Sequence, residues 1–478
     1  MALRRQISES SATWEDPISG IDLLTSEEDL KPGSARLMQN CIYRAGVRMR
    51  SGSSRITPIA LAASFRVRGG HRFYYGGATP LKKRLIAYSN KISVVSDAGA
   101  ETVLTSGMTS DQDTYFTTWS ITDKVYISNG SDLLRSYDGT TFATVAQGGV
   151  NPQITPRARI APVLDRLLAI TSNGIERCDP RDPTVWSNNS SWATFKPSQV
   201  GLFTAIHPFT LSGTDTFYSG ALAFQANAYY LITGTDFGSD VESATASTGE
   251  DSSIQMLDPN VGTSSPGSVV TVPGVGIFWF TSDLNVYWVP EGQLHGKYVG
   301  DKLRSNGSTQ GIEVTNKAQL SQVQMTFFDR FLILTIPVGN ATYPTTQFWL
   351  DLYEFTRADK AREDTAIWYG PMTGQSIGRL WREDQQGELS LRGGEGNPST
   401  GIFVYNVNEP LRFLDAVGTA DNTITMIYQT YFKDFGAFSR EKYLRSLNFL
   451  IRNFEGSPTV SLLDIDRTIV SGVPITEI

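Results

Sequence analysis

The side chains that most often carry chemistry are few in this chain and lie far apart. The candidates are three histidines and two cysteines: His71, His207, His295, Cys41 and Cys178. None of the histidines has a second ligand at the spacing of a metal site, and two distant cysteines cannot form a disulfide framework or a zinc knuckle. We therefore interpret the histidines as isolated surface or interface residues and the cysteines as reduced structural thiols. We expect no metal and no other cofactor.

Paired carboxylates would be needed for glycoside hydrolysis, in which two acids flank the scissile bond. Asp464 and Asp466 share one face of a predicted strand, but the neighbouring Arg467 and solvent exposure account for them. The stretch around Asp138 and Gly139 departs from the Asp-box of sialidase-like propellers, because these residues are adjacent where the box separates them by one. The chain has neither a GxSxG elbow nor a Walker loop. We expect no enzymatic activity, with a sialidase-like or depolymerising enzyme as an alternative.

The elements that would position any site are predicted to be strands nearly everywhere, because short β-rich runs bounded by turn residues recur along the chain. Seven such units are marked by Arg84, Lys124, Arg166, Leu222, Gly276, Asp329 and Glu388, at successive spacings of 40, 42, 56, 54, 53 and 59 residues. Four-stranded propeller blades recur at about 40 to 50 residues. The sequence therefore predicts an all-β fold, a β-propeller of six or seven blades whose later members carry insertions. A β-sandwich array would give comparable turn spacing.

The two ends of the chain have a different pattern. Residues 424–431, 444–451 and 459–466 are long enough for three antiparallel strands, which we expect to form an additional β platform together with the N-terminal segment. The predicted domains are an N-terminal arm or docking segment (1–60), the β-propeller (61–410) and a C-terminal antiparallel β region (411–478).

Composition places the chain among globular proteins. Of its 478 residues, 40% are hydrophobic, 11% aromatic and 19% charged, which is enough for a sizeable core and fits neither disorder nor a coiled coil. No stretch reaches the roughly 18 apolar residues of a membrane span. The basic first residues are not followed by the apolar core of a signal peptide. We expect no membrane span and no secretory export.

The net charge of −7 hides a segregation of charge along the chain. Residues 1–84 hold fourteen Lys and Arg against seven Asp and Glu, whereas residues 197–296 hold nine acids and no Lys or Arg. Segregated charge of this size supports inferences about partners and association. An acidic surface that merely keeps the protein soluble is the alternative.

A motif near the N-terminus resembles the opening of a family of bacteriophage tail proteins. Its elements are a Gly-x-Asp, a Pro-Gly link to an Asn and an Arg-x-Gly strand end, here Gly20, Asp22, Pro32, Gly33, Asn40, Arg50 and Gly52. In length and layout the chain is similar to the tail hub, or nozzle, of short-tailed phages, also called the packaged-DNA stabilisation protein. The similarity covers about fifty residues clearly and the remainder only as a general plan, an N-terminal segment followed by a propeller.

The resemblance implies a structural virion protein of the phage tail, assembled in the host cytoplasm. Members of the family form an oligomeric ring, usually hexameric, below the portal and its adaptor proteins. The channel of the ring retains the double-stranded DNA genome and conducts it during ejection without sequence-specific binding. The outer parts of the ring receive tail fibre or spike proteins.

Two groups of residues are candidates for these roles. A DNA channel should avoid phosphate contacts, because each Lys or Arg adds salt-dependent affinity, so we expect acidic loops near the lumen. These loops contain Asp236, Asp240, Glu242, Glu250, Asp251 and Asp258. The basic residues expected to dock on an acidic neighbouring ring are Arg36, Arg44, Arg48 and Arg50. A DNA grip and ordinary intramolecular salt bridges are the alternatives for this second group.

A different kind of binding is the alternative function. A propeller could present Trp279, Tyr287 and Trp288 to glycans on the host surface, as a receptor-binding tail protein. These aromatic residues, however, alternate as core packing would require. The sequence therefore favours the structural role.

Overall fold

The computed structural model describes most of the chain between residues 17 and 430 and the backbone of two further strands, 459–463 and 468–474. Within 17–430 the undescribed residues are 27–28, 32, 45–46, 57–64, 77–80, 147–155, 173, 187–201, 213–216, 234–252, 306–309, 358–365, 386–387, 399–402, 410–411, 413 and 418. Residues 13–432 form one compact unit, and residues 1–12 with 433–478 form another. The predicted domain boundaries at residues 60 and 410 do not coincide with this division.

The first described part of the chain, residues 17–56, is called the arm below. It contains four short strands: β1 (Ala35–Gln39), β2 (Cys41–Tyr43), β3 (Val47–Met49) and β4 (Gly52–Arg55). Strands β2 and β3 form a hairpin in which Cys41 pairs with Met49. The arm therefore contributes short extended pieces that are completed by other parts of the unit.

The next part of the chain forms the first three four-stranded antiparallel sheets, here called blades. Blade one comprises β5 (Val67–Tyr75), β6 (Leu81–Tyr88), β7 (Lys91–Val95) and β8 (Glu101–Thr105). Blade two comprises β9 (Tyr115–Trp119), β10 (Lys124–Ser128), β11 (Arg135–Tyr137) and β12 (Phe142–Thr144). Blade three comprises β13 (Arg159–Val163), β14 (Arg166–Thr171), β15 (Gly174–Asp179) and β16 (Asp182–Trp186).

Blades four to six have the same strand order. Blade four comprises β17 (Ala205–Ser212), β18 (Phe217–Phe224), β19 (Tyr229–Thr233) and β20 (Ser253–Asp258). Blade five comprises β21 (Val270–Val272), β22 (Gly276–Phe280), β23 (Val286–Pro290) and β24 (Lys297–Tyr298). Blade six comprises β25 (Gln324–Phe328), β26 (Phe331–Ile336), β27 (Thr346–Asp351) and β28 (Trp368–Met372), with the helix α1 (Leu352–Arg357) before its last strand. Short 3-10 segments span Pro266–Ser268, Asp301–Leu303, Ile312–Val314 and Lys317–Gln322.

The seventh blade closes the ring with a strand from the arm. It comprises β29 (Ile377–Gln385), β30 (Glu388–Glu395) and β31 (Val404–Glu409), and its fourth strand is β4, in which Arg55 pairs with Tyr405. Beyond β4 the sheet continues with β32 (Leu414–Val417) and β33 (Ala420–Thr423). The inner strand β29 contacts β5 of blade one, so the first and last blades are neighbours. A closed ring of blades leaves only short, protected sheet edges.

The predicted all-β propeller is confirmed, and the number of blades is seven. All seven markers of the sequence pattern lie in, or within two residues of, the second strand of a blade. Several of these second strands are largely apolar because each blade packs between two neighbours and both of its faces are covered. In β26, for example, every residue from Phe331 to Ile336 is buried.

The ends of the propeller unit meet in a small sheet, since β1 pairs antiparallel with β34 (Ile427–Thr430). In the other unit, β35 (Thr459–Leu463) and β36 (Thr468–Pro474) form an antiparallel hairpin. The predicted strand at 444–451 lies outside the described residues. Among the residues that the structure describes, no helix is long and apolar enough to cross a membrane.

Candidate assembly surface and channel mouth

The first element of the N-terminal motif fixes the start of the arm against blade six. Gly20 has a φ of +70°, and a Cβ there would collide with the carbonyl oxygen of Trp368, so only glycine fits. The next residue, Ile21, donates its N–H to that same oxygen at 2.8 Å. The Asp22 carboxylate accepts hydrogen bonds from the backbone of Leu24 and Thr25, at 3.1 and 3.0 Å, and holds the following turn.

The Asn and Arg of the motif form a buried polar network with blade six and β32. Asn40, with a φ of +56°, accepts hydrogen bonds at Oδ1 from Arg50 Nε (3.0 Å) and from the Thr373 N–H (2.7 Å). The Arg50 guanidinium also contacts both carboxylate oxygens of Asp415 and donates to the Thr373 carbonyl at 2.7 Å. Arg50 is 1% exposed. This fork geometry is the strong, bidentate form of an ion pair.

The last motif residue allows the arm to enter the seventh blade. Gly52 donates its N–H to the carbonyl of Arg412, and a Cβ at this position would collide with the carbonyl oxygen of Leu414. The backbone of β32 can approach this closely only because position 52 lacks a side chain. The motif that carries the family resemblance therefore fixes the arm on the propeller.

The four predicted docking arginines do not act as one group, and one of them requires a correction. Arg36 donates to the carbonyls of Leu23 and Thr25 within the arm. Arg44, which is exposed, lies 3.6 Å from the exposed Asp329 carboxylate. Arg48 projects from the β2–β3 hairpin, is exposed, and makes no ion pair in the described part of the chain.

The correction concerns Arg50, which we expected to dock on an acidic neighbouring ring together with Arg48. Because its guanidinium is buried on Asp415, it cannot reach a neighbouring protein, and the salt-bridge alternative holds for this residue. The docking prediction is thus reduced to the exposed Arg44 and Arg48.

Five of the six predicted lumen acids, Asp236, Asp240, Glu242, Glu250 and Asp251, lie outside the described residues. Asp258 is at the end of β20, the outermost strand of blade four, where its carboxylate accepts the Asn260 N–H at 2.8 Å. It therefore does not line the axis of the propeller itself. A lumen formed between copies of the chain is still compatible with this position.

The axis of the propeller is crossed by polar side chains at the end where the inner strands begin, here called the channel mouth. Arg159 of blade three donates to the carbonyl of Pro266, just before blade five, at 2.7 Å. Gln322, before blade six, donates to Asp113 near the start of blade two at 2.8 Å. Each of these hydrogen bonds joins blades that are not neighbours in the ring. The channel mouth must therefore be narrow. Sequence spacing gave no indication of these contacts.

One carboxylate at the mouth is shared by two arginines. Asp113 Oδ1 lies 3.2 Å from Arg68 Nη1 and 2.6 Å from Arg379 Nη2. Burial alone would raise the pKa of Asp113, but the two cations outweigh it and hold the pKa below its ordinary value. Asp113 is therefore ionised at neutral pH.

Two of the three histidines lie on inner strands. His71 Nε2 is 2.8 Å from the hydroxyl of Thr118, and His207 Nε2 is 2.7 Å from that of Thr271. Burial lowers the pKa of His71 to about 4, and burial with the nearby Arg159 charge lowers that of His207 to about 3. Both rings are neutral at physiological pH.

The remaining residues singled out for chemistry are dispersed. His295 is exposed, whereas Cys41 and Cys178 are buried free thiols whose pKa burial raises to about 12 and about 11. Protonated thiols of this kind are poor nucleophiles and poor metal ligands. Within the described ranges, no group of three His, Cys, Asp or Glu side chains is arranged to hold a metal ion.

The three aromatic residues of the glycan-binding alternative are buried. Trp279 is 0% exposed, and Tyr287 and Trp288 are each 6% exposed. The Trp279 and Tyr287 rings pack against each other with centroids 4.8 Å apart. They act as core residues of blade five, and a glycan cannot stack on them in this conformation.

The fold and these sites define a seven-bladed β-propeller with an N-terminal arm. No family model matches the sequence, and no curated protein matches it. Solved structures with a similar fold include the WD40 β-propeller domain of Doa1, at 8% identity over 75% of this chain and 98% of that one, with a TM-score of 0.39. Virginiamycin B lyase from Staphylococcus aureus is 10% identical over 74% of this chain and 98% of that one, with a TM-score of 0.42.

A third similar structure is the extracellular domain of the putative hybrid two-component system BT4673 from B. thetaiotaomicron. It is 11% identical over 74% of this chain but only 39% of that chain, with a TM-score of 0.44. At these levels the similarities concern the propeller fold alone.

Proposed function

We propose that this protein is a structural subunit of a short bacteriophage tail, a hub or nozzle protein that assembles with copies of itself into a ring. The ring lies below the portal and its adaptor, retains the DNA genome and conducts it during ejection. Tail fibres or spikes attach to its outer parts, and its place is the tail of the virion. The role requires shape and contacts and no bond-making chemistry.

The observation that carries this proposal is that the N-terminal motif has a structural role in the fold. Gly20, Asn40, Arg50 and Gly52 all hold the arm on the propeller. An arm fixed in this way presents the exposed Arg48 on a hairpin of defined position. Pre-organised surfaces of this kind suit permanent assembly, because little ordering entropy is lost on association.

The channel mouth is relevant to the path of the DNA. Arg159 and Gln322 bridge across the propeller axis, which leaves no room there for a duplex. In the proposed assembly the DNA therefore passes through a lumen bounded by several copies, and the propeller is part of its wall.

The test uses the purified full-length protein, imaged by negative-stain electron microscopy alone and with portal–adaptor particles. We expect rings with a central hole, or rings formed on the particles. A protein that remains monomeric and does not bind the particles would overturn the proposal. Selective binding to a glycan array by such a monomer would favour the receptor-binding alternative.

A charge reversal tests the docking role of the arm. Arg48→Glu should weaken attachment to portal–adaptor particles about tenfold, a loss of about 1.4 kcal/mol, without a change in thermal stability. The matched control is Lys317→Glu, which reverses an exposed charge outside the arm. Equal attachment of the two variants would remove Arg48 from the interface.

A further inference from the structure

The channel mouth holds more positive than negative charge. Four arginines and two aspartates converge there around one tyrosine: Arg66, Arg68, Arg159, Arg379, Asp111, Asp113 and Tyr115. The excess of the described groups is two positive charges, four minus two. We call this set the mouth cluster.

Arg159, like Arg66, has no carboxylate counter-ion among the residues that the structure describes. Its guanidinium lies over the Tyr115 ring, 4.0 Å from the centroid, and donates to the Pro266 carbonyl. It has no ion pair with any carboxylate in the described part of the chain. Burial lowers the pKa of Arg159, and the nearby Arg379 charge lowers it further. Arg159 is half-buried, and a partly desolvated guanidinium without an acid beside it gains from a bound anion.

The other arginines of the cluster are incompletely satisfied. The buried Nε of Arg68 has no hydrogen-bond partner within the described ranges, and its nearest carboxylate oxygen, of Asp111, is 3.7 Å away. Burial and the charge of Arg68 are the leading causes that lower the pKa of Arg66 to about 10. Among the described residues, Arg66 donates to the Thr342 carbonyl alone, at 2.5 Å. Spare N–H donors and spare positive charge thus occur at the same place.

Arg379 places a second guanidinium group beside the ring that Arg159 contacts. Its guanidinium, which comes from blade seven, lies 5.7 Å from the centroid of the same Tyr115 ring that carries Arg159. Two arginines from distant blades, three and seven, therefore lie beside one aromatic ring. Guanidinium groups bind phosphate oxygens in a bidentate fork, which makes arginine the preferred residue for this ligand.

We propose that the mouth cluster is a binding site for a single dianionic phosphate group, as in inorganic phosphate or a small phosphate monoester. The two negative charges of this ligand match the two-charge excess of the cluster. Arg159 and Arg379 provide two guanidinium groups, and Arg68 provides the spare Nε donor. Because Arg159 bridges to Pro266 across the axis, the site admits one phosphate group and not a DNA duplex.

The test is calorimetric titration of the full-length protein with sodium phosphate, at about pH 8, where the second proton of phosphate has dissociated. Ionic strength is held constant with sodium chloride. We expect saturable binding to the wild type and a loss of about tenfold or more in affinity in Arg159→Gln, equivalent to at least about 1.4 kcal/mol. Phosphate should also raise the melting temperature of the wild type but not of the variant.

The matched control is Arg181→Gln, which makes the same change at an exposed turn on the outer side of blade three. It should bind phosphate as the wild type does. Arg159→Lys keeps the positive charge but lacks the bidentate guanidinium group, so it should retain part of the affinity for phosphate. This variant distinguishes loss of the site from failure to fold. Absence of binding to the wild type, or unchanged binding in Arg159→Gln, would overturn the proposal. Displacement of phosphate by a double-stranded oligonucleotide would also contradict it.

Discussion

The junction that closes the ring, between blades seven and one, differs in chemistry from the junction between blades four and five. At the closing junction, Glu383 is completely buried and accepts two hydrogen bonds of 2.7 Å from Arg84. Arg392 Nε lies 3.3 Å from the same carboxylate, and Trp381 donates its indole N–H to it at 2.9 Å. The closing junction is thus built around one buried charge network.

The junction between blades four and five is aromatic. Trp279 packs with ring centroids 5.1 Å from Phe224, 5.2 Å from Tyr229 and 4.8 Å from Tyr287. These blades follow each other in the chain, so connectivity already brings the correct surfaces together. Arg84 and Glu383 are separated by 299 residues. Apolar packing is sufficient to join blades four and five, which are neighbours in the chain. Blades one and seven are distant in the chain, and they are joined by a buried ion pair that only the correct partner satisfies.

The largest effect should follow from neutralising the closing junction. Glu383→Gln keeps the size of the side chain but leaves Arg84, Arg72 and Arg392 near one another without their common counter-ion. We expect the free energy of unfolding to fall by about 3–5 kcal/mol, as when one partner of a buried ion pair is removed. Urea denaturation of the two proteins measures this difference.

The control for this prediction is a solvent-exposed ion pair in the same blade. Asp421 lies 3.0 Å from Arg55, and the side chains are 37% and 27% exposed. Asp421→Asn should cost less than about 1 kcal/mol, because water screens the pair. Equal losses in the two variants would show that the closing junction has no special role.

The pH dependence of stability should distinguish the closing network from other groups. Burial would raise the pKa of Glu383, but its hydrogen bonds and ion pairs with Arg84 hold it below the ordinary value of 4.5. Its contribution is therefore fully present above about pH 4.5 and is lost as the pH falls through the folded-state pKa. The difference in stability between wild type and Glu383→Gln should be largest near neutral pH and shrink in acid.

His71 and His207 also destabilise the fold in acid. Their lowered pKa values mean that stability declines from about pH 6.5, where they begin to protonate in the unfolded chain. This decline occurs in both proteins, but the Glu383 charge raises the pKa of His71, so the difference between them reports Glu383 together with its effect on His71. A constant difference down to pH 3 would contradict the assignment; thermal melts from about pH 3 to 8 provide the data.

Of the two junctions, the aromatic one should show the smaller effect. Phe224→Leu replaces one apolar ring by a smaller apolar side chain, and the neighbouring rings can partly fill the space. The expected loss is about 1–2 kcal/mol. Measured by the same urea titration, a loss as large as that of Glu383→Gln would remove the distinction between the two junctions.

The sequence predicted the local features of this fold and missed the distant ones. Runs such as Gly276–Phe280 and Phe331–Ile336 are mostly apolar because both faces are covered, and β-rich runs bounded by turn residues marked every blade. The use of β4 as the last strand of blade seven was not predicted. Four residues of ordinary composition do not indicate which of seven sheets they will join.

The same limit applies to the candidate sites. Arg48 and Arg50 have the same charge and differ only in what folding places beside them, since Asp415 lies 365 residues from Arg50. The mouth cluster is assembled from residues more than 300 positions apart, as in the hydrogen bond from Arg379 Nε to the Arg68 carbonyl. Spacing along a chain carries no information about ion pairs of this range.

The early position of β4 in the chain has a consequence for biosynthesis. This strand emerges from the ribosome about 350 residues before β31, which at ~5–20 residues per second is roughly 20–70 s. Throughout that interval β4 lacks the strand of blade seven with which it pairs, and an unpaired strand is a template for pairing with another nascent chain. Chains made close together on one message are therefore exposed to mispairing at β4 until the last blade is complete.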